Sequence, residues 1–449
     1  MQYSIINFSE AKKEKRFDAE FYKNDYVKIL NNILKHNYKF LYEIASNKYK
    51  KLPNNKKDIE WKYIEIDKII CFQNDYNYTI FLKGDTLPSR ASKIPKLHDI
   101  IISTVRPTRG AICIFNDIEK DIIVSSGFSI VHTDKINNNY LYTVLSSSFY
   151  LKLYKRLTKA SMYPAMSEED LFNLPIPIFS DEFQKSIEKL VLEAHNQRHI
   201  SNSLMKEANE ILEKEIGFDK LEIKKKKVNY SIVNYSETLL SKRIDAEYYQ
   251  EKYKIIMDKI QSYKNGCIKI TDLNSINNKL VSIDKNKKYK YIELSNIDSM
   301  GFIDNLELYY GYELPSRARR LLNNNDVIIS SVEGSLDKSS FIYNNKNNLL
   351  CSTGFLVFNE NEFINPETLF CFFRLSLIKE LLKKISKGTI LTAFDSNAIC
   401  DMDIPNLDKN VQNLIANKVQ EAYKARDRAK ALLEEAKKKV EDAIENGEN

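Results

Sequence analysis

The sequence is poor in the residues that nucleotide-binding turns require, with 11 glycines among 449 residues. Neither a Gly-x-Gly-x-x-Gly turn nor a Gly-x-x-x-x-Gly-Lys-Ser/Thr loop occurs, which argues against a dinucleotide fold and against ATP hydrolysis by this chain. Six cysteines (Cys71, Cys113, Cys267, Cys351, Cys371, Cys400) lie far apart with no Cys-x-x-Cys pair, so they read as structural. The five histidines are equally scattered except for His195 and His199, one helical turn apart. With no Glu between them and no third ligand nearby in sequence, this pair reads as exposed helix surface and no metal site is expected. An Asn- or Asp-Pro-Pro-aromatic tetrapeptide, with which amino-methyltransferases hold a target amine, is also missing. The chain is therefore expected to be non-catalytic and to bind no cofactor of its own.

Long apolar runs are absent as well. A membrane span needs about 18 or more apolar residues, and the best stretch, 370–378, is interrupted by Arg374. The start, MQYSIINFSEAKKEKR, has no basic-then-apolar order and no small-residue cleavage site, so a cytoplasmic protein is expected. Net charge is +7, which permits an anionic partner without demanding one. Lysine, asparagine, isoleucine and tyrosine are all abundant, as an AT-rich coding sequence would produce, so the placement of charge matters more than its sum.

What the sequence does contain is a copy of itself. Residues 3–26, YSIINFSEAKKEKRFDAEFYKNDY, align without a gap on 230–253, YSIVNYSETLLSKRIDAEYYQEKY, at an offset of 227 and with 13 of 24 positions identical. With one residue of drift the same offset matches WKYIEI (61–66) to YKYIEL (289–294), LPSRA (87–91) to LPSRA (314–318), DIIISTV (99–105) to DVIISSV (326–332) and SSGF (125–128) to STGF (352–355). Two units of this length are too few and too long for a solenoid and read as an internal pseudo-dimer. Such a chain presents one surface twice, which suits a partner of approximate two-fold symmetry: duplex DNA, or a protein dimer.

Each unit reads as an α+β module followed by a long amphipathic helix. Short Ile-, Val- and Tyr-rich runs at 99–105, 111–115 and 121–125, and their counterparts at 326–332, 341–343 and 349–351, predict strands. Apolar spacing predicts helices that open the modules (18–34, 245–261) and close them (140–157, 366–385). The motif RxDAExY, at 16–22 and 243–249, would head the opening helices, its acids complementing the helix dipole. Segments 43–60 and 70–86 barely match 266–288 and 298–313, and the tips after Val105 and Val332 read RPTRG and EGSLDKS. Matching framework with diverging loops is the pattern of one scaffold carrying two recognition surfaces.

The closing helices carry a 4-3 apolar repeat. Its seam runs through Ile187, Val191, Ala194, Arg198, Ser201, Met205, Ala208 and Leu212 in the first copy. In the second it runs through Ile415, Val419, Ala422, Arg426, Ala429, Leu433, Ala436, Val440 and Ala443. About 36 residues of helix would span roughly 54 Å. Packed antiparallel, the pair would act as a spacer between the modules; a homo-oligomerising stalk is the other reading. Arg198 and Arg426, polar at matching seam positions, are expected to fix register. The expected boundaries are 1–180 for the first recognition domain, 181–216 for the first spacer helix, 217–407 for the second domain and 408–446 for the second helix.

The duplicated RFDAEFY and RIDAEYY openings, the strand-loop stretches DIIISTVRPTRGAI and DVIISSVEGS, and the endings LPIPIFSDEFQKSIEKL (174–190) and DIPNLDKNVQNLIANKV (403–419) together resemble the specificity subunit of Type I restriction-modification enzymes. In those endings Ile176, Pro177, Gln184 and Ile187 match Ile404, Pro405, Gln412 and Ile415. The resemblance covers the whole chain. It implies two target recognition domains related by a pseudo-two-fold and separated by two long antiparallel coiled-coil helices. Each domain would read one half of a split DNA sequence, and the helices would set the gap. It further implies two methyltransferase subunits carrying S-adenosylmethionine, and restriction subunits using ATP and Mg. The second copy departs locally, with Asp403 and Asn406 where the first has Pro175 and Ile178. The alternative is a coiled-coil scaffold joining protein partners without DNA specificity.

Reading base edges takes Arg, Lys, Asn, Gln, Ser or Thr on loops, with further Lys and Arg on phosphates. The candidates are Arg90, Arg106, Arg109, Lys159, Ser161 and Tyr163 in the first module, and Arg317, Arg319, Lys338, Lys387 and Thr389 in the second.

Overall fold

The computed structural model describes residues 5–14, 16–52, 59–82, 86–159, 162–223, 230–304, 306–344, 348–388 and 392–448. It is mixed α and β, and it divides into two compact units. One comprises Met1–His199 with Arg426–Asn449, the other Ile200–Ala425. Each unit therefore takes one module, part of the helix Asp181–Ile216 and part of the helix Lys409–Asn446.

In the first unit the strand Ile122–Ser125 lies between Trp61–Ile64, which runs parallel to it, and Ala91–Ile94, which runs antiparallel. Thr79–Phe81 and Lys50–Lys51 complete this sheet at its edges. The chain then turns through Ser126 and Gly127 into Phe128–Val131, an edge strand of a second, antiparallel sheet with Ile100–Ser103 and Ile112–Ile114. The second unit repeats the arrangement. Lys288–Ile292 runs parallel to Leu349–Ser352, flanked by Leu308–Tyr310 and Ala318–Leu322, while Phe355–Phe358, Val327–Ser330 and Ser339–Phe341 form the second sheet with Ile276–Asn277.

The strand IIIS at Ile100–Ser103 is apolar on both faces because both are covered. Ile101 joins the layer with Ile64, Val124 and Phe128, while Ile100 and Ile102 join the helices. The same sorting places Ile328 with Ile292 and Phe355, and Ile329 with the helices. Buried aspartates at matching positions tie off the start of these strands. Asp99 accepts from the Lys96 amide at 2.8 Å and Asp326 from the Asn323 amide at 2.7 Å.

Four expected helices differ from what is observed. The opening helices begin later, at Asn24–Leu34 and Glu251–Gln261, and the RxDAExY motif forms a turn before each one. Asp18 accepts from the Phe21 amide at 3.0 Å and from Arg16 Nε at 2.6 Å, and the Tyr22 hydroxyl donates to the Arg16 carbonyl at 3.1 Å. Asp245, Arg243, Tyr248 and Tyr249 repeat these bonds. Side-chain competition for backbone donors, the ordinary behaviour of Asp in turns, won over helix continuation. The closing stretch 140–157 is two helices, Asn138–Ser146 and Ser148–Leu157, because the Ser147 side chain accepts from the Tyr150 amide and starts a new helix. Likewise 366–385 is Pro366–Arg374 and Ser376–Ile385.

The long helices enter through a matched hook. Buried Gln184 accepts from the Asn137 amide at 3.1 Å and donates to the Phe179 carbonyl at 2.9 Å. Gln412 accepts from the Asn365 amide at 2.9 Å and donates to the Leu407 carbonyl at 2.9 Å. All the seam positions named above are buried. Within the first unit Ser180, just before its helix, donates to Glu448 just after the other, so these segments run in opposite directions. Within the second, Ser201 donates to the Ala422 carbonyl at 2.8 Å and Lys418 meets Glu207 at 2.7 Å, again antiparallel. Asp181–Ile216 buries a single 4-3 row, whereas Lys409–Asn446 also buries Ala416, Tyr423, Ala425, Leu432, Lys437 and Ile444. Its stripe is wider than a two-stranded seam because each part also packs on a module core. Arg198 departs from its expected role. Its guanidinium donates to the Gln73 carbonyl and side chain and to Asp75, at 3.3, 2.6 and 3.1 Å, so it ties helix to module. Arg426 is buried at the matching position.

Candidate nucleic-acid interface

Four loops meet at one end of each module, brought together by backbone hydrogen bonds. In the first unit the Ser126 amide donates to the Arg90 carbonyl at 2.7 Å, Thr104 to Gly127 at 2.9 Å, Arg106 to Pro164 at 2.7 Å and Met166 to Thr104 at 3.0 Å. Bridges Val105–Ala165 and Lys159–Ala165 pin the fourth loop across the tip. The second unit uses the same stitches: Thr353 to Arg317 at 2.9 Å, Ser331 to Gly354 at 3.0 Å, Glu333 to Thr392 at 2.9 Å, with bridges Val332–Ala393 and Lys387–Ala393. Segments far apart in sequence thus share one surface in each copy.

The candidate side chains fall into two groups. Arg90, Arg109, Tyr163, Arg317, Arg319 and Lys387 are exposed, and Arg106 is half-buried under Tyr163, its guanidinium 5.7 Å from the ring centroid. Such planar cation and aromatic surfaces are what bases and phosphates engage. Lys159, also exposed, and half-buried Lys338 have partners of their own. Lys159 pairs with Asp170 at 3.0 Å, and Lys338 donates to the Ile297 carbonyl at 2.7 Å. Burial raises the Asp170 carboxyl, but hydrogen bonds from Ser167 and Lys159 outweigh it and hold the group below its ordinary value. Ser161 and Thr389 lie outside the described residues.

The two tips differ in backbone as well as in side chains. Arg106 sits at φ 47°, a left-handed conformation that is uncommon for a non-glycine residue and costs on the order of 1 kcal/mol or more. It leads into the single 3-10 turn Pro107–Arg109, closed by Gly110 at φ 73°. A Cβ on Gly110 would stand 2.4 Å from the Phe72 ring, so that position requires glycine twice over. The second tip turns through Glu333–Ser335, and its counterpart of Arg109 is Leu336, which is buried. Near Arg90 and Arg317 lies a tyrosine in each copy, Tyr63 and Tyr291, each pushed above its ordinary pKa by burial.

Sequence reasoning missed one feature here. The segment leading into Arg317 carries Tyr310 and Tyr312 stacked at 5.5 Å, with the Lys288 ammonium 4.8 Å from the Tyr310 ring. The signal was the alternation YYGY directly before ELPSR. The first module has Ile80 and exposed Leu82 in the corresponding strand region, so this aromatic platform belongs to one copy.

Among the described residues no helix is long and apolar enough to cross a membrane. No family model and no curated protein matches the sequence. Solved structures do. The chain is similar to the HsdS subunit from Thermoanaerobacter tengcongensis at 14% identity and TM-score 0.32, covering 92% of this chain and 97% of that one. It is similar at 15% identity and TM-score 0.31 to a chain from a structure on complex assembly and conformational transition of the type I R-M system, covering 92% and 98%. It is likewise similar, at 13% identity and TM-score 0.40 and over 92% of this chain and 96% of the other, to the Type-I restriction-modification system S subunit from M. genitalium.

Proposed function

We propose that the chain is the DNA specificity subunit of a Type I restriction-modification complex. In this reading each module reads one half of a bipartite target, and the two long helices set the gap and dock the methyltransferase subunits. The observation that carries the reading is the duplicated tip: identical stitching of four loops in both units, with side chains that differ between them. The alternative, a coiled-coil scaffold joining protein partners without DNA specificity, is separated from this reading by the DNA-selection test. The chain supplies neither methyl transfer nor cleavage. Two methyltransferase subunits bring S-adenosylmethionine, restriction subunits bring ATP and Mg, and the assembly acts in the cytoplasm.

Arg106, Arg109 and Tyr163 in one module, and Arg317, Arg319 and Lys387 in the other, are the side chains that would meet DNA. Lys159 and Lys338 would act by shaping the loops rather than by contact. The test is methylation mapping of host DNA with and without this chain. A split adenine motif should disappear in its absence, and the purified complex should select that motif with an affinity that falls as salt rises. Equal binding to random duplexes at moderate salt would reject the proposal.

A further inference from the structure

Histidines 195 and 199 read in sequence as a pair lacking a third ligand. The structure supplies one. His195 and His199, four residues apart on the helix Asp181–Ile216, lie on one face, and their Nε2 atoms converge to 3.0 Å. Asp117, in the loop after the strand Ile112–Ile114, turns its carboxylate toward both. Oδ2 is 3.1 Å from His199 Nε2 and Oδ1 is 3.5 Å from His195 Nε2. One ligand atom from each of the three side chains lies within 4.8 Å of the others. All three belong to the first unit.

We propose that Asp117, His195 and His199 form a binding site for one divalent transition-metal ion of the zinc class. Three arguments support it. Bonds of about 2.0–2.2 Å to imidazole and carboxylate put ligand atoms about 2.9 Å apart at right angles and about 3.4 Å apart in a tetrahedron. The two Nε2 atoms lie 3.0 Å apart, within that range, and the Asp117 carboxylate presents a different oxygen to each imidazole, Oδ2 at 3.1 Å from His199 and Oδ1 at 3.5 Å from His195. Second, a neutral imidazole pair facing a carboxylate is rich in acceptors and short of protons, whereas one cation engages all three groups at once. Third, the fold itself does not need the triad. The matching positions in the second copy are Asn344, Tyr423 and Asp427, and there Tyr423 is core, its hydroxyl 3.1 Å from the Phe341 carbonyl.

The donor set, two imidazoles and a carboxylate, suits Zn2+, Co2+ or Ni2+ and is too nitrogen-rich for Mg2+ or Ca2+. His199 and Asp117 have more than half of their side-chain surface exposed, which leaves room for water to complete the coordination. Its role is that of a clip. A bound ion would fasten the loop after Ile112–Ile114 to the spacer helix, beside the Arg198 tie to Gln73 and Asp75. Binding to the folded chain alone would raise its thermal midpoint by mass action.

The test uses the full chain, stripped with a chelator and titrated separately with Co2+ and Zn2+. Visible absorption follows Co2+, and calorimetry follows Zn2+. One ion per chain is expected. Asp117→Asn, which installs the residue of the second copy, and His199→Ala should each weaken binding by more than roughly tenfold, since disturbing even an outer partner of a ligand has that effect. His98→Ala should leave it unchanged. Circular dichroism confirms that each variant is folded, and metal should raise the thermal midpoint of the unsubstituted chain but not of the Asp117→Asn/His199→Ala double variant. Absence of saturable binding, or equal binding by the double variant, would overturn the site in favour of a hydrogen-bonded surface cluster. Loss of binding in His98→Ala would overturn it too.

Discussion

The two units are one fold solved twice, and they differ most where the fold demands least. Where a backbone must be anchored they agree: the Gln184 and Gln412 hooks, the Asp18 and Asp245 turns, and the loop stitches at Arg90 and Arg317 keep both residue type and bond. Where only volume must be filled they diverge. The first unit packs Tyr140, Tyr150 and Tyr154 against the strand Pro175–Pro177 and its helices, sending hydroxyls to the Pro177, Pro175 and Leu145 carbonyls. The second has Thr368, Ile378 and Leu382 at these places. The Pro405 carbonyl, counterpart of Pro177, accepts from the Leu407 amide at 2.9 Å instead. Anchors that hold a turn, a helix entry or a loop stitch are therefore the shared part of this architecture, and the core with its tyrosine hydroxyl bonds is negotiable.

The comparison can be broken most severely at the helix entry. Ile187 and Ile415 are fully buried in matched surroundings, so Ile187→Ala and Ile415→Ala should each cost about 3 kcal/mol in chemical denaturation. Equal losses would show that the two units share one packing solution; a much smaller loss in one would show that its core collapses onto the cavity. Next come the tips. On the proposed reading Arg106→Ala should weaken specific DNA binding by about 1–3 kcal/mol and relax one half-site, and Arg317→Ala should do the same for the other half-site only. Binding competition with duplexes altered in a single half would reveal any cross-effect, which the two-reader proposal forbids.

A smaller effect tests the packing difference. Tyr150→Phe should destabilise by about 1 kcal/mol because the Pro175 carbonyl loses its donor, while Ile378→Val at the matching place should act through volume alone. The smallest is a pH effect. Burial holds Asp99 and Asp326 above the ordinary carboxylate value, so the folded chain binds their protons more tightly than the unfolded chain does. Their contribution is present at low pH and is lost as pH rises from about 4 through the raised values. Asp326→Asn should flatten that segment of the stability profile, and urea midpoints measured across acid pH would show whether Asp99, which has His132 at 2.8 Å instead of Asn359, does the same.

Much of this molecule is written in one dimension. The repeat, the strand runs near 100–103 and 327–330 and the 4-3 row from Ile187 to Leu212 are periodicities, and burial follows them residue by residue. Local bonding was less legible. Asp18 and Asp245 stood where a helix could start, and only the turn geometry shows that their carboxylates capture backbone amides first. Arg198 occupied a seam position, yet its partners lie over 120 residues away at Gln73 and Asp75. Nothing in the sequence marks the pairing of Lys159 with Asp170 at 3.0 Å.

The sequence by itself determined the duplication, the α+β character, the long helices and the list of residues that differ between the copies, because those depend on composition and spacing along the chain. Tertiary structure decided which of those residues share a surface. Arg90, Arg106 and Tyr163 are brought to one tip by backbone bonds between loops, and Asp117 reaches His195 and His199 across 78 and 82 residues of chain. Contacts of that kind have no period to read: they exist only once the sheets and the helix have packed and fixed where each loop must end.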